Sequence, residues 1–125
     1  MRRIIIACTL LLLAATAVFA AGRYVLIAQW QGTMGVQNTQ AFAVRTSSWA
    51  IAYSLRPVDR DLPSMLVLDV YRRAADGKYV LVDTFATLGA GAGTTYVHAG
   101  SGTYYLTIYA GACAWACAAY ECYDQ

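Results

Sequence analysis

Nucleophilic or metal chemistry in this chain of 125 residues has few groups to draw on: one histidine, His98, and the cysteines Cys113, Cys117 and Cys122 near the C-terminus. A Ser/His/Asp or Cys/His mechanism needs a nucleophile, the histidine as its base, and a carboxylate to orient the ring. Ser101, Cys113 and Asp83 are the partners on paper, but no motif gathers them around His98, which reads as a strand-end or loop residue beside Gly100. Zinc held by His98 with the three cysteines would use a Cys-x3-Cys-x4-Cys spacing, which is not that of the usual zinc knuckles, and an exported chain favours disulfides over zinc thiolates. Asp59 and Asp61 are the closest pair of carboxylates. Glycoside hydrolysis would require them to flank a cleft with one pKa raised, and calcium would require about six to eight oxygens. In Val58-Asp-Arg-Asp61, between Pro57 and Pro63, they read as solvated loop charge. The expectation is a noncatalytic protein with no cofactor and no metal.

What positions these residues begins with where the chain works. Arg2-Arg3, an apolar stretch from Ile4 to Phe19 and small residues at its end form the three-part pattern of a secretory signal peptide. Val18 and Ala20 fit the −3 and −1 positions, so cleavage is expected after Ala20, leaving 21–125 as one domain. A retained anchor is the alternative, but the apolar run is short of the roughly 20 residues that cross a bilayer, and no stop-transfer charges follow it. The residues around Arg2-Arg3 do not extend a twin-arginine motif. Cys8 has too little apolar sequence before it for a lipoprotein signal. The expected location is secreted, periplasmic or at the cell surface, with membrane contact only through the leader during export.

Loss of Arg2 and Arg3 turns nine basic and seven acidic residues into seven of each. A neutral domain with a single lysine, Lys78, has no electrostatic footprint for nucleic acid or an anionic membrane. The mature part, about 105 residues, is long enough for a modest core.

Alternation with period two dominates that part. Trp49, Ile51, Tyr53 and Leu55 share one face, and Ala50, Ala52 and Ser54 the other. Tyr104, Leu106 and Ile108 oppose Tyr105, Thr107 and Tyr109, while Leu66, Leu68 and Val70 point inward from 65–71. Asp76-Gly77 supplies the positive φ angles of a tight turn, so 65–72 and 79–85 should pair as an antiparallel hairpin. Further strands are expected at 24–31, 40–45, 95–98 and 115–120. Gly89-Ala-Gly-Ala-Gly93 lacks the following helix of a phosphate loop and reads as a flexible loop. About seven or eight short strands with no sustained helical period indicate an all-β antiparallel sandwich behind an N-terminal signal helix.

Phe42-Ala-Val before a Trp-led strand, Leu66-Val-Leu-Asp-Val-Tyr71 before Asp76-Gly77, and Ser101-Gly-Thr-Tyr-Tyr-Leu-Thr-Ile108 before a terminal strand at Trp115 carry a resemblance. The stretch from about Gln40 to Tyr120 resembles small secreted β-sandwich modules of bacteria and archaea, of the prepeptidase C-terminal domain type. The resemblance implies a noncatalytic jelly-roll-like or immunoglobulin-like sandwich used for binding, targeting or assembly outside the cell.

An odd number of cysteines after cleavage leaves at least one thiol free or intermolecular. Strand alternation puts Cys117 on the face of Trp115 as a buried thiol. Cys113 and Cys122 are the candidate disulfide if the tail folds back, and an intermolecular bond through Cys122 is the alternative. Ten tyrosines form the other oddity. Tyr105 and Tyr109, with Thr107 between them, are candidate surface aromatics able to stack sugar rings or anchor a protein interface, against the plainer alternative of packing under a second sheet or loop. Tyr24-Val-Leu-Ile-Ala-Gln-Trp30 either completes its own sandwich or enters a neighbour's sheet to build a fibre. The function expected is binding or assembly at the cell surface, with a protein partner, a second copy or a glycan as the partner.

Overall fold

The computed structural model describes residues 23–123, and the expected signal peptide lies outside them. Seven antiparallel strands form one curled sheet: β1 Arg23–Asn38, β2 Phe42–Val44, β3 Trp49–Pro57, β4 Met65–Arg73, β5 Tyr79–Leu88, β6 Gly91–Val97 and β7 Gly102–Tyr123. The all-β antiparallel expectation holds.

β7 organises the fold. Its first half pairs with β4 over residues 104–111, and its second half pairs with β3 over residues 113–121. Along the opposite edge run β2 and then β1, which follows β7 around the whole curl. Two layers result: β5, β4 and the first half of β7 in one, β6, β3 and the second half in the other. The chain turns between layers at Ala112, whose φ is 54°, while β1 turns beside it at Met34 and Gly35, with φ of 43° and 91°. One residue in a left-handed conformation breaks the strand period and redirects the sheet. Inward residues are Tyr104, Leu106, Ile108 and Ala110 before the corner, and Cys113, Trp115, Cys117 and Ala119 after it. The period therefore slips by one, and what reads as two strands, 101–109 and 115–120, is a single strand of 22 residues.

The inward faces meet in one core. Trp49, Ile51, Leu66, Leu68 and Val70 are all buried, as alternation predicts. Trp49 packs edge-on against Tyr104 and Phe42, with ring centroids 4.9 and 5.4 Å away. Tyr53 reaches across the layers to Phe85 at 5.1 Å. β3 is not half-exposed as its alternation suggests: Ala50 and Ala52 are buried too, where Ala118 and Tyr120 of β7 and Tyr24 of β1 form a second apolar cluster on the other face.

The hairpin forms where expected, but as a three-residue loop closed by Ala74 and Lys78, in which only Gly77 takes a positive φ, 89°, and the Asp76 carboxylate accepts the Lys78 amide at 2.9 Å. The glycine-rich stretch departs from expectation. β6 already begins at Gly91, and Gly93 lies within it opposite Tyr53, where a Cβ would stand 2.8 Å from the Tyr53 ring, so the position requires glycine. β1 seats in its own sheet, paired with β7 from Arg23 to Asn38, so the Tyr24–Trp30 segment completes this chain's sandwich.

Candidate functional site

The outer side of the first layer gathers side chains that alternation turns away from the core. Register places Tyr105 beside Tyr71, Thr107 beside Asp69, and Tyr109 beside Val67. β1 extends the rows with Asn38 opposite Thr107 and Val36 opposite Tyr109, and β5 adds Leu81 beside Tyr71 and Thr84 beside Asp69. An aromatic row, a polar row and a second row centred on Tyr109 thus lie one above another, about 7 Å apart by strand geometry.

The Tyr71 and Tyr105 rings stack at 4.8 Å with planes 8° apart, and Tyr79 meets Tyr105 edge-on at 4.9 Å. In the polar row the Thr107 hydroxyl donates to Asn38 Oδ1 at 2.7 Å, and the Thr84 hydroxyl donates to Asp69 Oδ1 at 2.9 Å. Burial raises the pKa of the Tyr71 phenol, and the nearby Asp69 charge adds to the effect. Tyr105 and Tyr109 therefore share one half-buried outer face, with Thr107 between them. Tyr105 packs beside Tyr71 and Tyr79, whereas Tyr109 lies between Val36 and Val67. Sequence reasoning missed Tyr71, Tyr79, Asp69 and Asn38. The hairpin at Asp76-Gly77 was the signal for the first two, since it folds Tyr79 back toward Tyr71, whereas Asn38 lies beyond the expected end of its strand.

The β5 edge bordering this face is blunted. A bulge between Val70 and Tyr71 leaves Val82 as an extra residue, and Asp83 Oδ1 accepts the Thr84 amide at 2.9 Å. Bulges and a capped amide oppose addition of another strand, even though Val80, Leu81 and Val82 are exposed.

The other sequence candidates are dispersed. His98 Nδ1 is hydrogen-bonded to the Ser48 hydroxyl at 2.9 Å, while the Cys113 thiol donates to the Met65 carbonyl at 3.5 Å and Asp83 serves its own strand. Among the described residues no cluster of His, Cys, Asp and Glu could hold a metal ion. Asp59 and Asp61 share an exposed turn in which Asp59 Oδ1 accepts the Asp61 amide at 2.9 Å.

No disulfide joins the three cysteines among the described residues, and the pairing expected between Cys113 and Cys122 does not fit this fold. They lie on one strand, opposite Pro57 and Tyr24 respectively, and on opposite faces. Nine extended residues separate them by about 30 Å, against a Cα limit of about 7 Å for a bridge. The tail does not fold back because β1 and β3 hold it extended on both edges. Cys117 is a fully buried thiol facing the core, and burial pushes its pKa strongly upward. Cys122 is half-buried opposite Tyr24 of β1, whose phenol has its pKa raised to about 12, chiefly by burial.

At the end where β1 enters and β7 leaves, Glu121 is the one buried acid among the described residues. Its Oε2 accepts the Arg45 amide at 2.7 Å and Nε at 3.1 Å, and its Oε1 accepts Arg45 Nη2 at 2.9 Å and the Tyr123 hydroxyl at 2.9 Å. These bonds hold its pKa down at about 2 although burial opposes them. Both carboxylate oxygens are thus occupied, and the pair ties the end of β7 to the chain just after β2.

No family model matches the chain, the prepeptidase C-terminal domain type included, and no curated protein matches it by sequence. Among solved structures, a protein from Sulfurospirillum deleyianum is 10% identical with a TM-score of 0.53, covering 79% of this chain and 97% of its own. The xylan-binding domain from Paenibacillus barcinonensis is 13% identical with a TM-score of 0.47, covering 82% of this chain and 83% of its own. A Bacillus endospore appendage protein, described as forming disulfide-linked pili, is 17% identical with a TM-score of 0.43, covering 84% and 93%. At 10% identity the first of these likenesses speaks to the fold alone, which is the small two-layered β-sandwich described above.

Proposed function

We propose that this chain is an exported, noncatalytic β-sandwich module that makes contact at the cell surface through its tyrosine face. The leader pattern at 1–20 supports export, and one observation carries the contact surface: Tyr71, Tyr79 and Tyr105 are packed on one another on the outside of the sheet, with Tyr109 on the same face. Rings already held in place lose little entropy on binding, which is the property that makes aromatic residues effective anchors. The test is cosedimentation of the mature protein with envelopes isolated from the producing organism. The wild type is expected in the pellet and a Tyr105→Ser, Tyr109→Ser variant with unchanged circular dichroism in the supernatant; equal sedimentation of the two overturns the reading.

Assembly is a second reading, favoured by the contrast between Cys113 and Cys117 in the core and Cys122, half-buried beside the C-terminal end of β7. An intermolecular disulfide through Cys122 would give dimers in light scattering that revert to monomers with reductant. A reductant-insensitive monomer under air oxidation refutes it.

A further inference from the structure

On the reading that the tyrosine face is the contact surface, we infer that its ligand is a neutral polysaccharide, laid along β7 from Tyr105 toward Tyr109 across the polar row. The arrangement of chemistry argues for this. A protein interface usually places an apolar core inside a polar rim. Here the order is inverted, with Asn38, Thr107, Asp69 and Thr84 running through the middle and aromatic residues on either side. A sugar chain has the matching alternation, since each ring offers apolar C–H faces to an aromatic residue and hydroxyls around its edge.

The hydrogen-bonding capacity left over fits hydroxyls as well. Asn38 and Asp69 each spend one side-chain oxygen on a neighbouring threonine, which leaves the Asn38 amide as a donor and the second Asp69 oxygen as an acceptor. The hydroxyls of Tyr71, Tyr105 and Tyr109, able to donate or accept, make no hydrogen bond among the described residues. A ligand rich in groups that both donate and accept satisfies this mixture, whereas an apolar ligand would leave it unpaired. Charge narrows the class further. Asp69 is the one charged residue in the three rows, and Arg73, paired with Tyr79 beyond them, lies four residues of strand away, about 13 Å, so an anionic polysaccharide would meet repulsion along the rows.

Within the face the tyrosines divide the work. Tyr71 and Tyr105 use one ring face on each other and present edges and hydroxyls. Tyr109 has no aromatic neighbour in contact among the described residues, and the residues on either side of it are Val36 and Val67, so its ring is the stacking surface. Four residues of strand, about 13 Å, separate Tyr105 from Tyr109, which suits a chain better than a single sugar.

The test is native gel electrophoresis of the mature protein through gels containing hydroxyethyl cellulose, xyloglucan, glucomannan or arabinoxylan, with alginate as the anionic counterpart. Retardation by at least one neutral polymer and not by alginate is expected. Tyr109→Ala should weaken that affinity about tenfold, the effect of one anchoring aromatic. Tyr109→Phe, which keeps the ring, should retain most of it, and Asp61→Ala in the β3–β4 loop should change nothing. Asp69→Asn, a conservative change at a half-buried site, should alter affinity with the fold intact. No retardation by any neutral polymer, equal retardation by alginate, or indifference to Tyr109→Ala overturns the assignment. If the gels show no binding while envelope cosedimentation still depends on Tyr105 and Tyr109, the glycan fails and the contact face survives; if cosedimentation is also indifferent, both fail.

Discussion

Replacing Glu121 by Gln should cost this protein stability at neutral pH and almost none in strong acid. The side chain is 3% exposed, and all its bonds come from Arg45 and Tyr123. Its pKa falls from the ordinary 4.5 to about 2, a gap that corresponds to about 3 kcal/mol at full strength. The Arg45 side chain is 75% exposed, however, so water screens part of the attraction, and about 2 kcal/mol is the reasonable expectation. The sign follows from the direction of the shift. Because the folded state holds the carboxylate below its unfolded pKa, the stabilisation is complete above pH 4.5 and is lost as pH falls through 4.5 toward 2. Urea unfolding followed by the fluorescence of Trp30, Trp49 and Trp115, for wild type and Glu121→Gln at pH 7, 4, 3 and 2.5, measures it. Other carboxylates titrate in both proteins and cancel in the difference. A difference that is absent at pH 7, or that stays constant down to pH 2.5, would refute the reasoning.

Ala112→Gly should raise stability by about 1 kcal/mol, since a non-glycine residue at φ 54° carries steric strain that glycine does not; a drop in the urea midpoint would count against a strained corner. Gly32→Ala should destabilise by about 1–3 kcal/mol, because the added methyl would stand 2.9 Å from the Trp115 ring, which is buried and has nowhere to move. In the native mature protein a water-soluble thiol reagent should label Cys122 and spare Cys113 and Cys117 until urea unfolds the chain, and mass spectrometry of the labelled peptides reads this directly.

The alternation in 49–55, 65–71 and 101–109 predicted the inward residues of three strands correctly, and the Asp76-Gly77 turn predicted the pairing of two of them. These are local properties. A strand's faces follow from its own period, and a short turn fixes its flanking strands without help from distant residues. The face carrying Tyr105, Thr107 and Tyr109 was legible for the same reason. Its companions were not, because Asp69, Tyr71 and Asn38 arrive from strands whose register against β7 is a long-range matter. The disulfide failed on similar grounds: spacing allows Cys113 and Cys122 to meet if the tail bends, and only pairing with β1 and β3 keeps it straight.

The amino-acid sequence alone determined the fold class, the alternation that builds the core and the neutral charge of the expected mature chain, since composition and period act through each residue's own chemistry. Tertiary structure decided that β7 is a single strand bent at Ala112, that both of its edges are occupied, and that Tyr71, Tyr79 and Tyr105 pack together on the outer face that also carries Tyr109. The physical reason is that backbone hydrogen bonds between strands carry no residue identity. Register is chosen by which set of side chains fills the shared interior, and no single segment contains that information.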